Sequence, residues 1–262
     1  MCTTCGCGDP ELVPVELHEK ILAGNERAAR HNREHFRAQG VLALNLMGSP
    51  GSGKTAVLEA TARAAGGRGW RLGAVSADLA TDNDARRLEA AGIPSRAITT
   101  GQACHLDAGL VHGALHGLPW QGSDVFFIEN VGNLVCPAIY DLGQAANVVV
   151  LSVAEGEDKP LKYPVMFKAA DLVLLSKCDL LPHLDVDVGK IEDALRRVMP
   201  RPALIRVSAR TGDGVDRWVE WLAERKAALP RASGGRPHSH EPDHGPGDAH
   251  GHAHAHGHGH EH

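Results

Sequence analysis

Val41-Leu42-Ala43-Leu44-Asn45-Leu46-Met47-Gly48-Ser49-Pro50-Gly51-Ser52-Gly53-Lys54-Thr55 is the stretch that decides the fold. Its first seven residues read as an apolar strand. The next eight, Gly48 to Thr55, fit G-x-x-x-x-G-K-[ST], and Thr55 to Ala65 is helical in composition. Strand, loop and helix in that order are the context a phosphate-binding loop requires. Gly48, Gly51 and Gly53 let successive backbone N–H groups, with that of Ser52, curl around a β-phosphate, and the helix N-terminus adds partial positive charge. Lys54 is expected to reach the β- and γ-oxygens and the Thr55 hydroxyl to bind Mg²⁺.

Outward from the loop, apolar strands alternate with helices. Residues 15 to 38 read as a helix that Gly40 stops. Strands are expected at Arg71–Ala77, Asp124–Ile128, Asn147–Val153, Leu172–Ser176 and Ala203–Ser208, and helices at Asp82–Ala91, Asp187–Val198 and Asp213–Ala228. This order predicts an α/β fold, a doubly wound and mostly parallel sheet flanked by helices. Continuously apolar strands are what such a sheet needs when helices cover both faces.

Two further loops are expected to face the phosphate loop. Glu129-Asn130-Val131-Gly132 follows the strand ending at Ile128 and resembles a D-x-x-G switch with Glu in place of Asp. Glu129 can hold Mg²⁺ or a water bound to it, and the Gly132 N–H can sense a γ-phosphate. Asp78 is a second candidate for Mg²⁺, or else a turn residue, while Asp82 reads as a helix cap. Ser176-Lys177-Cys178-Asp179 resembles the N-K-x-D guanine motif. Asp179 can accept two hydrogen bonds from guanine, the Lys177 stem can cover the base plane, and Ser208-Ala209-Arg210 matches the accompanying S-A-K loop. Ser176 stands where Asn is usual, so one orienting hydrogen bond is lost or remade. Cys178 reads as incidental. The expected cofactors are thus GTP or GDP with Mg²⁺, and the expected catalytic residues are Lys54, Thr55 and Glu129.

Composition bounds the alternatives. The 262 residues are 43% hydrophobic and 23% charged, with a formal charge of −5. That balance lacks the basic footprint of a nucleic-acid binder. No apolar run approaches the ~18 residues of a membrane span, and no signal-peptide pattern opens the chain. A cytoplasmic location is the expectation, where cysteines serve as metal or redox groups rather than as disulfides.

The two ends stand out. Residues 1–13 carry Cys2, Cys5 and Cys7, three of the six cysteines, as a candidate thiolate site for Ni²⁺, Zn²⁺ or Cu⁺. Residues 231–262 hold ten of the seventeen histidines, interspersed with Gly, Ala, Pro and acids. The tail lacks the apolar side chains to bury a core, so disorder without metal is expected, with storage of divalent ions as its use. Between them, residues 14–230 form the globular part. There Cys104, His105 and Cys136 are a second donor set. Cys136 lies seven residues after Glu129, so an approach of the other two would put soft donors beside a nucleotide-sensing segment. The two cysteines also fit as small buried hydrophobes.

Taken together, these motifs resemble the hydrogenase maturation GTPases that insert nickel, the HypB family. The carriers are Cys2-Thr3-Thr4-Cys5-Gly6-Cys7, the Gly48–Thr55 loop, Asp78-Leu79-Ala80-Thr81-Asp82-Asn83-Asp84, Cys104-His105-Leu106, Glu129 to Pro137, and the loops at Lys177–Asp179 and Ser208. The resemblance spans nearly the whole chain. It implies a tight nickel site at Cys2, Cys5 and Cys7. It also implies a nickel or zinc site at Cys104, His105 and Cys136, where two copies dimerise with GTP. The implied partners are a second hydrogenase nickel accessory protein, a nickel-loading prolyl isomerase and the large subunit of a [NiFe] hydrogenase. The departures are Ser176, and a histidine tract at the C-terminal rather than the N-terminal end. The rival readings are a urease-type nickel accessory GTPase and a passive nickel or zinc storage protein. Against the first, Cys136-Pro137 is followed by Ala138 where that group carries His. Against the second, Lys54, Thr55 and Glu129 are intact.

Overall fold

The computed structural model describes residues 15–78, 80–101 and 103–230, with side chains from residue 22 onward. The expectations for Cys2, Cys5, Cys7 and the histidine tract lie outside the described residues.

The described residues open with α1 (Val15–Ala38), and β1 (Leu42–Met47) leads through the phosphate loop into α2 (Lys54–Gly66). There follow β2 (Leu72–Asp78), α3 (Asn83–Ala90), β3 (Ser95–Thr99), α4 (Ala108–Leu115) and β4 (Val125–Glu129). The second half runs β5 (Ala146–Ser152), the short α5 (Lys159–Lys162) and α6 (Pro164–Lys168), β6 (Leu172–Ser176), α7 (Val188–Val198), β7 (Leu204–Arg206) and α8 (Val215–Ala227). The seven strands form one sheet in the order β3-β2-β4-β1-β5-β6-β7, and every pairing is parallel.

The pleat sorts the apolar side chains. Leu42, Leu44 and Leu46 of β1 face one side, with Leu58 of α2, Leu88 of α3 and Trp218 of α8. Ala43 of β1 faces the other, with Phe36 of α1 and Val111 and Leu115 of α4. Farther along that second face, Met47 packs with Phe167 of α6 and Ile191 and Leu195 of α7. Burial of both faces explains why these strands show no polar alternation. Trp218 is fully buried and donates its indole N–H to Thr61 Oγ1 at 2.9 Å, tying α8 to α2.

Four elements escape the sequence reading: β3, α4 and the short helices α5 and α6. β3 mixes buried Ser95 and Ile98 with exposed Arg96 and Thr99, and it lies at the sheet edge. In α4, Gly109 and Gly113 weaken the helical signal, but Asp107 caps it by accepting from Leu110 N at 2.8 Å. Asp82 does occupy the N-cap position of α3, yet its carboxylate pairs with Arg86 at 2.9 Å and accepts no cap hydrogen bond.

The order matters for the site. β1 pairs with β4 on one side and β5 on the other, and the chain switches from one half of the sheet to the other at that point. Ligands of open parallel sheets lie beyond the strand C-termini at such a switch point.

Candidate nucleotide and metal site

The phosphate loop leaves β1 at the switch point. Gly48 has φ 148°, and a Cβ there would stand 2.3 Å from the Val150 carbonyl oxygen, so β5 excludes any side chain. Gly51 and Gly53 have φ 71° and 99°, the left-handed region where glycine carries no Cβ penalty. Lys54 opens α2, buried, with Nζ 3.4 Å from the Gly48 carbonyl and 3.3 Å from that of Ser49. These long contacts leave the ammonium free to exchange loop carbonyls for phosphate oxygens. Burial pulls the Lys54 pKa down, and the nearby Glu129 carboxylate opposes that. The buried Ser52 hydroxyl has no hydrogen-bond partner among the described residues.

Glu129 ends β4 and is 2% exposed. Thr55 donates to its Oε1 at 2.7 Å and Ser76 of β2 to its Oε2 at 2.8 Å. Burial pushes its pKa up, and the two hydroxyls hold it down against that. A hydroxyl and a carboxylate in contact at the start of α2 form the hard oxygen donor set that suits Mg²⁺. Lys54, Thr55, Asp78, Glu129 and Gly132 line one cavity of about 430 Å³. Asp78 also shapes its own turn, accepting from Ala80 N and Thr81 N at 2.9 Å each. The turn role suggested for it is thus observed, in a residue that also lines the cavity where Mg²⁺ is expected.

The residues expected to read a base line a second cavity of about 520 Å³, formed by Gly53, Ser176, Lys177, Asp179 and Arg210 among others. Asp179 accepts from Ser208 Oγ at 2.6 Å and from Arg210 Nε at 2.8 Å. The Ser208 hydrogen bond, with Arg210 behind it, holds the carboxylate below its usual pKa and therefore ionised. Lys177 alone among the described non-glycine residues has positive φ, 58°. Its Nζ donates to the Gly51 carbonyl at 2.7 Å, so its stem runs along the phosphate loop. Ser176, where Asn is usual, donates its hydroxyl to the Ser52 carbonyl at 2.6 Å and locks the two loops together. Cys178 is half-buried, and burial raises its thiol pKa.

The switch segment leads away from the phosphates to sulfur. A Cβ on Gly132 would lie 2.8 Å from Pro50 Cα, so only glycine lets this segment touch the phosphate loop. Asn133 bridges to Gly48 just beyond. Cys136 Sγ stands 3.0 Å from Cys104 Sγ, which is 3.7 Å from His105 Nδ1. Among the described residues, these three form the one set of His, Cys and carboxylate ligand atoms that lie within 4.8 Å of one another. The His105 ring stacks on Tyr140 at 3.9 Å between centroids, and burial lowers its pKa, keeping a lone pair for a metal. All three residues are half-buried rather than core, so the reading of the cysteines as buried hydrophobes fails.

Sequence reasoning missed the connectors. Asn130 Oδ1 accepts from Leu106 N at 3.3 Å, and its Nδ2 donates to Asn45 Oδ1 at 3.2 Å. One carboxamide thus joins the switch to the Cys104-His105 segment and to the central strand. The available signals were Asn45 and Ser76, polar residues in otherwise apolar strands. Ser76 sits opposite Glu129 in the β2–β4 register.

A phosphate loop at the switch point, a buried carboxylate beside its threonine and an aspartate at the base-reading position define a P-loop nucleotide hydrolase. Residues 42–206 match the model of the CobW/HypB/UreG nucleotide-binding domain. The hydrogenase maturation factor HypB of Azotobacter chroococcum mcd 1 is 50% identical over 218 residues, covering 83% of this chain and 71% of that one. Among solved structures, the hydrogenase maturation factor HypB from Archaeoglobus fulgidus matches with a TM-score of 0.72 at 38% identity, covering 78% of this chain and all of that one. HypB from Helicobacter pylori, solved in complex with nickel, matches with a TM-score of 0.74 at 36% identity, covering 81% and 100%. The chain belongs to the CobW/HypB/UreG nucleotide-binding family, and within it to the HypB hydrogenase maturation factors.

Proposed function

We propose that this protein hydrolyses GTP and uses the nucleotide cycle to hand nickel to the large subunit of a [NiFe] hydrogenase. One continuous segment carries the reading. At Glu129 it touches Thr55 of the phosphate-loop helix, and seven residues later, at Cys136, it faces Cys104 at 3.0 Å. A change at the γ-phosphate is therefore a few residues from the sulfur donors, with Gly132 packed on the loop between them.

In this reading Asp179 selects guanine by accepting from its N1–H and N2–H₂, and Lys177 covers the base. Lys54 offsets charge on the transferred phosphoryl as water attacks in line. Thr55 and Glu129, with Asp78 nearby, would hold Mg²⁺, which would supply charge neutralisation to the phosphates. Glu129 and Ser76 fix the orientation of the Thr55 hydroxyl. Cys104, His105 and Cys136 hold Ni²⁺, with Zn²⁺ as the competing ion. Cys2, Cys5 and Cys7 in residues 1–13 form a separate nickel site, and the 231–262 tract stores metal. The protein works in the cytoplasm as a GTP-dependent homodimer, with a second nickel accessory protein and a nickel-loading prolyl isomerase. The Helicobacter pylori relative solved with nickel supports this assignment of cargo.

The test is single-turnover hydrolysis of GTP and ATP with Mg²⁺, run beside anaerobic Ni²⁺ titration of the parent and of Cys104→Ser. The reading predicts a marked preference for GTP and loss of one nickel site in the variant. Equal turnover of both nucleotides, or unchanged nickel stoichiometry, would overturn it.

A further inference from the structure

Four histidines outside every site above converge where α1 packs on α4. His31 and His35 lie one helical turn apart on α1, and His112 and His116 one turn apart from the start of α4's last turn to its C-cap. The Nε2 atoms of His31 and His35 are 3.0 Å apart, and those of His112 and His116 are 3.3 Å apart. The pairs meet across the helices, with the His112 ring centroid 4.8 Å from that of His31 and 5.8 Å from that of His35.

These spacings have a chemical meaning. Two imidazole nitrogens bound at 2.0–2.1 Å to a common ion stand about 2.9–3.4 Å apart for coordination angles of about 90–109°. Both pairs fall within that interval. His112 is also oriented from behind. Asn32 is buried, and its Nδ2 donates to the carbonyls of Ala108 at 2.9 Å and Leu142 at 3.1 Å. Its Oδ1 therefore faces His112 Nδ1 at 3.0 Å as an acceptor, placing the ring proton on Nδ1. That leaves the Nε2 lone pair directed at His116. A hydrogen-bonded group fixing the tautomer behind a ligand imidazole is the usual support of a metal-bound histidine. His31, His35 and His116 are exposed, so an ion reaches them from solvent. Burial and the three neighbouring rings lower the His112 pKa, which keeps the ring neutral as a ligand must be.

We propose that His112 and His116 bind a divalent transition ion that favours imidazole, Ni²⁺ or Zn²⁺, at a second metal site on the globular part; no three of the four imidazoles bring their ring nitrogens within 4.8 Å of one another, so His31 and His35 join that ion only by rotating their side chains. It differs in donor type from the Cys104-His105-Cys136 set. α4, which carries His112, begins at Ala108, three residues after His105. The site does not depend on the delivery role, and its failure would leave the nickel chemistry of Cys104 and Cys136 untouched.

The experiment compares the full chain with the full-chain double variant His112→Gln, His116→Gln by equilibrium dialysis against Ni²⁺ and, separately, Zn²⁺. Every other donor is common to both proteins, so the difference counts this cluster. The parent should bind one more ion per chain, and the ion should raise its unfolding midpoint more than that of the variant. Equal stoichiometry and equal midpoint shifts would overturn the proposal. Should the variant misfold, crystals of the unmodified chain grown with Ni²⁺ decide it at the nickel absorption edge. An anomalous peak within bonding distance of His112 Nε2 and His116 Nε2 supports the site, and peaks confined to other places refute it.

Discussion

At the scale of single residues, Glu129 and Asp179 are both carboxylates at strand ends, and their surroundings push them in opposite directions. Burial raises Glu129, while the Ser208 hydrogen bond lowers Asp179. Glu129 is the costlier to ionise, because its charge is taken out of water with only two hydroxyls in direct contact. Glu129→Gln should therefore cut GTP turnover by on the order of 10²-fold while barely reducing stability, since the buried charge disappears with the function. The sign with pH follows. A group whose folded pKa is raised adds stability at low pH and loses it as pH rises through that folded value. Melting curves without Mg²⁺ or nucleotide should show the Gln variant gaining on the parent as pH increases, and a constant difference would count against a buried, strained carboxylate. Asp179→Asn should weaken GTP by at least about tenfold, the worth of hydrogen bonds to a charged acceptor. Xanthosine triphosphate, whose ring can accept from the Asn amide, should lose far less in the same competition assay.

At the scale of elements, the switch segment survives on the absence of one methyl group. Gly132→Ala places a Cβ 2.8 Å from Pro50 backbone atoms, and neither the phosphate loop nor β4 can give way cheaply. Overpacking of this kind costs about 1–3 kcal/mol, and here it should also weaken nucleotide binding, read by melting temperature and by fluorescent-nucleotide titration. Unchanged binding would mean that the segment and the loop are mechanically independent. How far such elements can be read in a sequence depends on burial. β1, β4, β5 and β6 are mostly apolar because helices cover both faces, so they stood out. β3 did not, since this edge strand carries exposed Arg96 and Thr99, and α4 did not, since its two glycines hide a helix that Asp107 caps. The phosphate loop and Asp179 were legible because their chemistry is local. The Asn130–Leu106 link and the Ser176–Ser52 lock were not, because each joins residues far apart in the chain.

At the scale of the whole molecule, the sheet places two unlike chemistries at the ends of one short connection. Hard oxygen donors gather at Thr55 and Glu129, and soft donors at Cys104, His105 and Cys136. Asn130 fastens the connection to the Cys104-His105 segment, so a shift of the switch must move both halves of the sulfur site or separate them. Asn130→Ala should leave GTP turnover within about threefold yet blunt the response of metal to nucleotide, at a stability cost of about 1–3 kcal/mol for the unpaired Leu106 N–H. The most direct measurement of the central claim is the rate at which a chelator strips Ni²⁺ from Cys104, His105 and Cys136, followed anaerobically by the thiolate-to-nickel absorption band and corrected with a Cys104→Ser, Cys136→Ser control. The account predicts distinct rates for the empty, GDP-bound and GTP-analogue-bound protein. A single rate in all three states would contradict it.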